Sequence, residues 1–471
     1  MENWNLPLPF GYSLDLSFWN SLLSLPTGEL IPALFAIFGW VVLFLIFFEM
    51  GEHLWLHYRQ EKYKHKWQWV VLAVDVPPLF IQTPKAVEQI FAHLSGAITN
   101  PHIGEKYWLG KKQKYFSMEI VSIEGYIQFL IRTEIEFRDL VEAAVYAQYP
   151  EAEITEVEDY VNLIPSHYPD PEYDVFGVEF TLKHSNPYPI RTYPSFEYSL
   201  SKDVVFSDPM AALLENFSRI GHGENLWYQI VVEPINNHWR EEGVELVKKI
   251  IANKKEHHES VIGTFIGDIW ITILHDLQSI MHWTFEPMES HHEEAPAGKV
   301  MDLSPGMKTT LEKIEEKIAK IGFKTKINIL YSARKEVYHP GRCIDGIVGA
   351  MKQYSVMGSN AIVPYSDTTA HYAFKDYLVN MKKNKLVKAY KKRKIKIGGS
   401  PFILNIEELA TIWHFPLPFV KTPLVQKTSA KRAEPPMGLP VESTESPLRK
   451  ILQLPTTKVE TPPPPAPPQY G

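Results

Sequence analysis

A chain of 471 residues, 45% hydrophobic and 22% charged, has core enough for two or three domains. Its net charge of −7 excludes a generally basic nucleic-acid coat protein, and its single cysteine excludes an intrachain disulfide framework and fits a reducing compartment. Within the apolar stretch RCIDGIVGAM, Cys343 reads as a small buried hydrophobe rather than a nucleophile.

The first strong signal along the chain is LIPALFAIFGWVVLFLIFF, residues 30–48, which carries no charge over 19 residues. As a helix it would reach about 28 Å, enough to cross a hydrocarbon core. No Lys or Arg precedes it and no small-residue cleavage site follows, so it reads as a retained transmembrane helix and not a signal peptide. Arg59, Lys62, Lys64 and Lys66 follow, among Trp55, Tyr58, Tyr63 and Trp67. The positive-inside rule then places residues 1–29 outside and the bulk of the chain in the cytoplasm at the inner membrane, with an aromatic belt in the juxtamembrane segment 49–67. His53 and His57, four apart beside Glu52, read as part of that amphipathic segment rather than as metal ligands.

Residues 68–165 follow a β-α-β-β-α-β pattern. QWVVLAVDV is a buried strand, and TPKAVEQIFAHLSG is a helix capped by Thr83, opened by Pro84 and ended by Gly96. KYFSMEIVSIEG and YIQFLIRTE form a hairpin around Gly125, FRDLVEAAVYAQYP a helix, and AEITEVEDY the last strand. The pattern predicts an α+β protein with a ferredoxin-like domain at this point. A second copy begins near Tyr173: YDVFGVEFTLK, DPMAALLENFSRIG, ENLWYQIVVEP, LSPGMKTTLEKIEEKIAKIG and FKTKINILYSA repeat the punctuation of the first. This predicts a second ferredoxin-like domain over 170–365, with a helical insertion at 236–300 whose apolar part, 261–285, lies on a membrane or a partner. From 426 to 471 the chain becomes proline-rich, ending in TPPPPAPPQYG, and reads as disordered.

Chemistry is sparse. GEKYWLGKK (104–112) has five residues between its glycines and Lys112 where a phosphate loop needs Ser or Thr, so it is not one. The neighbours in SHHEE (290–294) are too close to converge on one ion. The sequence therefore yields no catalytic set, no metal ligands and no cofactor site, and points away from an enzyme. Within 366–425 two features stand out. KKNKLVKAYKKRKIK holds nine cations in fifteen residues: Lys382, Lys383, Lys385, Lys388, Lys391, Lys392, Arg393, Lys394 and Lys396. Such density is either a solvated helix face or a site for an anion, lipid headgroups or DNA phosphate. SPFILNIEELATIWHFP (400–416) has Asn405 as cap and Glu408 completing a capping box. The apolar stripe Ile406, Leu409, Ala410 and Trp413 marks a docked helix, packed on this chain's last domain or on a partner, and Pro416 ends it.

These motifs, with AVYAQYPEAEITEVEDY, GFKTKINILYSARKEV and GAMKQYSVMGSNAI, resemble a family of membrane-anchored proteins of unknown function from candidate-phylum bacteria. The 400–416 lead-in is similar to the segment that precedes the motor domain in conjugative ATPases and related translocases. The resemblance implies a non-enzymatic scaffold of a type IV secretion- or conjugation-like system. It would seat a separately encoded ATPase, matched to a hexameric motor, with Ile406, Leu409 and Trp413 as partner-docking residues. No phosphate loop follows the lead-in, so ATPase activity is not carried over. The alternative is a membrane-tethered protein that binds nucleic acid or anionic lipid through 382–396.

Overall fold

Period-two apolar runs set the architecture. The computed structural model describes residues 5–7, 13–15, 25–77, 82–200, 203–206, 208–251, 304–369, 374–395 and 398–416. A short antiparallel pair, β1 (Asn5–Pro7) and β2 (Ser13–Asp15), precedes a 38-residue helix, α1 (Thr27–Lys64). Then come β3 (Trp69–Asp75), α2 (Pro84–Leu94), β4 (Phe116–Ile123), β5 (Tyr126–Glu134), α3 (Arg138–Gln148) and β6 (Glu153–Val157). The second half contains β7 (Tyr173–Leu182), a small hairpin of β8 (Glu197–Leu200) and β9 (Asp203–Phe206), α4 (Ala211–Ser218) and β10 (Glu224–Pro234). It continues with α5 (Trp239–Ile251), α6 (Pro305–Ile318), β11 (Gly322–Arg334), α7 (Gly341–Lys352) and β12 (Ile362–Asp367). The chain closes with α8 (Lys375–Lys391), β13 (Phe402–Asn405) and α9 (Ile406–Ile412).

The expected pair of separate ferredoxin-like domains is corrected. Eight strands run in the order β12-β7-β11-β10-β4-β5-β3-β6, and β13 adds to β11, making one nine-stranded sheet. The halves meet along β4 and β10, paired antiparallel from Ile123↔Asn225 to Phe116↔Val232. The reason is the edge strand. Each half taken alone would leave its second strand with unpaired N–H and C=O groups along one side, and each covers the other's. Strand periodicity reveals each strand but not the neighbour that covers its edge.

Both faces of this sheet are buried. One face carries Leu72, Met118, Ile120, Ile131, Ile230 and Ile329, and α2, α3, α4, α7 and α9 all lie on it in one core. The other carries Val71, Ala73, Leu130, Trp227 and Leu330 and is covered by Tyr160, Ile164 and Tyr168 of the segment after β6 and by Val387 and Tyr390 of α8. The anticipated β4–β5 hairpin turns through Glu124 and Gly125, both at positive φ.

The transmembrane expectation is also corrected: among the described residues no helix is long and apolar enough to cross a membrane. Residues 30–48 are the first part of α1, which runs on without a break through Glu49, Glu52, Arg59, Glu61 and Lys62. Several side chains between 27 and 42 are outside the described residues. Of the expected aromatic belt, Trp55 and Tyr58 are exposed, whereas Trp67 and Tyr63 turn inward against Trp69, Tyr115, Val231 and Ile395. Residues 252–303 of the insertion and the proline-rich tail 426–471 lie outside the described residues.

Because the halves share one sheet, they should unfold together. Trp227, fully buried at the seam, when changed to alanine is expected to cost about 3–5 kcal/mol. Hydrogen exchange of β3 and of β7 should accelerate in parallel; an effect confined to the second half would contradict the shared core.

Candidate anion-binding face

The described part of the basic segment forms α8 and the turn at Arg393 that ends it. Its amphipathic pattern is only partial: Val387, Ala389 and Tyr390 face inward, and the lysines are divided between the rim of the sheet and solvent. The helix ends in a Schellman arrangement, with Arg393 N–H donating to the Tyr390 carbonyl and Lys394 N–H to that of Ala389. The left-handed position, at φ 46°, is occupied by Arg393 where glycine is usual. That backbone costs about 1–2 kcal/mol for an ordinary residue. It is accepted because it drives the guanidinium into the sheet.

Arg393 is fully buried. Its Nε and Nη2 donate to Glu119 Oε1 and Oε2 at 3.0 and 3.1 Å, and its Nη1 and Nη2 to Asp159 Oδ2 and Oδ1 at 2.7 and 2.8 Å. Glu119 also accepts from Ser117 Oγ and from Gln229 Nε2 at 3.1 Å. Burial pushes the Glu119 carboxyl up, but the Arg393 charge and these hydrogen bonds outweigh it and hold the group below the ordinary carboxylate value. Above lie Tyr160 and Tyr390, hydroxyls 3.0 Å apart, both kept protonated by burial and by the Glu119 charge. Register places Glu119, Gln229, Asn328 and Glu179 in one row across β4, β10, β11 and β7. Arg393 sits at the Glu119 end of that row. At its far end Gly399 N–H donates to Glu179 Oε1 at 2.7 Å, and Lys326 pairs with the same carboxylate. Gly398, at φ +97°, has no room for a Cβ, which would sit 2.1 Å from Glu179 Oε2.

Most of the nine expected anion-binding cations are thereby used internally. Arg393 belongs to the core. Lys383 pairs with Asp174, Lys382 donates to the Thr369 carbonyl, and Lys394 lies 3.9 Å from Glu61. Lys391 donates to the Ile164 carbonyl at 2.6 Å and to Ser166 Oγ at 2.9 Å, and burial lowers its pKa against the pull of Asp159. Lys396 lies outside the described residues. Lys385, Lys388 and Lys392 remain, exposed on one stripe of α8. Among the described residues no carboxylate lies in ion-pair range of them. With Ser166, His167 and Asn384 they line an open cleft of about 590 Å³. Asn384 fixes its far wall by a two-way bond with the Tyr168 backbone, 2.6 and 2.8 Å. The cleft can hold a phosphate-sized anion by charge and hydrogen bonding.

The three expected docking residues are not on a surface. Ile406, Leu409 and Trp413 are buried, the last two completely. Trp413 packs against Phe91 of α2, Phe129 of β5 and Phe415. The helix therefore docks on its own chain, and chiefly on the first half. The capping box forms as expected, with Asn405 Oδ1 accepting from Glu408 N–H at 2.8 Å and Glu408 Oε2 from Asn405 N–H at 3.0 Å. Glu408 also meets buried Lys317 at 3.0 Å. His414 is a buried helix-end residue whose Nδ1 donates to the Ala410 carbonyl at 2.8 Å. Cys343 is buried.

Fold and site define an α+β protein built on one wide antiparallel sheet, with a lysine cleft on the helix that covers its second face. The chain belongs to the family of the domain of unknown function DUF8128, whose model matches residues 81–428. No curated protein matches it.

Arg393→Ala would strand two carboxylates and is expected to cost about 3–5 kcal/mol in a denaturant melt. Arg393→Met combined with Glu119→Leu should recover most of that. Glu119 has a depressed pKa in the fold, so its contribution is present above the ordinary carboxylate range and is lost as pH falls through the folded value. Glu119→Gln should flatten the acid limb of the stability curve.

Proposed function

We propose that this protein is a non-enzymatic scaffold of a type IV secretion- or conjugation-like translocation system, working at the inner membrane and seating an ATPase made as a separate chain. The observation that carries this reading is how the lead-in segment is built in. β13 extends the sheet through β11, and α9 is capped and buried against α2. In the translocases that this segment resembles it stands next to the motor, and here it is packed into the chain's own core, which suits a footing for one. Beside it opens a cleft of about 450 Å³, lined among others by Arg191, Lys313, Lys320, Met357 and Glu407. Met357 is fully exposed at its rim and offers an apolar contact beside side chains of both charges, Lys313 and Arg191 with Glu316 and Glu407.

Co-expression with a conjugation-type motor ATPase from the same genome tests the reading. The ATPase is expected to co-purify with the chain, and Met357→Glu with Lys313→Glu to weaken the complex about tenfold or more without lowering the melting temperature. ATP hydrolysis by the purified chain alone, or association that ignores the two substitutions, would refute it.

A second reading is favoured by the three unpaired lysines: a phosphate-bearing partner bound along α8. Lys385→Glu, Lys388→Glu and Lys392→Glu together should abolish that binding, and for duplex DNA the log–log salt slope should be about −2.7, from −0.9 for each of three phosphates neutralised. Loss on anionic vesicles only would identify lipid as the anion, and loss on DNA only would identify nucleic acid.

A further inference from the structure

Three large apolar side chains stand out from the segment between α2 and β4. Ile103, Trp108 and Leu109 are 74%, 68% and 58% exposed. A cluster of this size on a loop calls for something to cover it. The loop is not loose. Residues Glu105–Leu109 form a π-helical turn clamped onto α1. Trp55 Nε1 donates to the Tyr107 carbonyl at 2.9 Å, the Tyr107 hydroxyl donates to Glu52, and Trp108 meets Trp55 edge-on with centroids 6.2 Å apart. Gly110, at φ +73°, lets the loop lie on the helix backbone, since a Cβ there would be 2.3 Å from the Arg59 carbonyl carbon. Two segments far apart in sequence thus present one rim: Leu54, Trp55 and Tyr58 from α1, all exposed, beside the loop's three side chains.

The surrounding charge selects the occupant. Nearby carboxylates are engaged within the chain: Glu105 by Lys111, Glu52 by Tyr107, Glu61 by Lys64. Lys62, Lys66 and Lys106 are exposed, and Arg59 is half-buried. Lys106 Nζ stands 5.1 Å from the Tyr107 ring centroid and the Arg59 guanidinium 5.6 Å from that of Trp55. Protein–protein interface cores are depleted in lysine. Exposed Trp and Tyr beside exposed cations, with exposed aliphatic side chains on the same two segments, match the composition of the headgroup boundary of an anionic bilayer. We propose that loop 102–110 and α1 together form a wedge that inserts into the headgroup region of an anionic lipid surface. The wedge does not depend on the seating of a motor, and its readout is separate.

Co-sedimentation of the full chain with phosphatidylcholine vesicles, with and without phosphatidylglycerol, tests it. Trp108→Ser with Leu109→Ser is expected to lower partitioning about tenfold or more on both, at an unchanged melting temperature. Trp108→Phe should retain it while losing part of the fluorescence quenching by lipids brominated on the acyl chain. Lys106→Glu should weaken binding only where phosphatidylglycerol is present. The proposal is overturned if the double variant partitions like the parent chain or if the parent chain sediments with neither vesicle. It is also overturned if light scattering shows a dimer that the double variant dissolves, which would make this face a protein interface.

Discussion

One guanidinium, that of Arg393, ties together the elements that would otherwise be free to slide. It joins the end of α8 to β4 through Glu119 and to the turn before Tyr160 through Asp159. A buried ion pair of this kind adds little net stability compared with an apolar core of the same volume, because desolvation offsets most of the attraction. What it does impose is position. Only one placement of α8 on the sheet satisfies both carboxylates, and the row Glu119–Gln229–Asn328–Glu179 links that point to Gly399. The left-handed backbone at Arg393 is the local cost of reaching that placement.

Much of the local structure was legible in the sequence, because it rests on short-range rules. The Thr83–Pro84 start of α2, the hairpin at Gly125, the Ser304–Pro305 start of α6 and the Asn405–Glu408 capping box are all decided within a few residues. What failed was long-range. Alternation in β4 and β10 does not say that one will cover the other's edge. The KKNKLVKAYKKRKIK run does not reveal which cation is buried, since Arg393 and Glu119 are 274 residues apart. A polar residue at the centre of an otherwise apolar strand, such as Glu119 in FSMEIVSI, was the available signal for a buried partner.

The same distinction governs the candidate sites. Ile406, Leu409 and Trp413 form a stripe that any docked helix would show, and period alone cannot tell a partner from the chain's own core. Among the described residues, charge or apolar area stays uncompensated after folding at the lysine stripe of α8, at exposed Met357 and along the aromatic rim shared by α1 and loop 102–110, among other places. Lys394, just after α8, lies 3.9 Å from Glu61 of α1.

The position of α9 has a consequence for how the molecule assembles. Trp413 and Phe415, directly after it, pack on Phe91 of α2, Phe129 of β5 and Tyr149 at the end of α3, and Glu408 accepts a hydrogen bond from the Ile190 N–H, 218 residues upstream. The hydrophobic interior of the amino-terminal half is therefore completed by almost the last residues of the domain. Closure must wait on a long chain segment whose loop entropy is unfavourable until the contact is made. A chain ending before Trp413 would leave Phe91 and Phe129 without this cover.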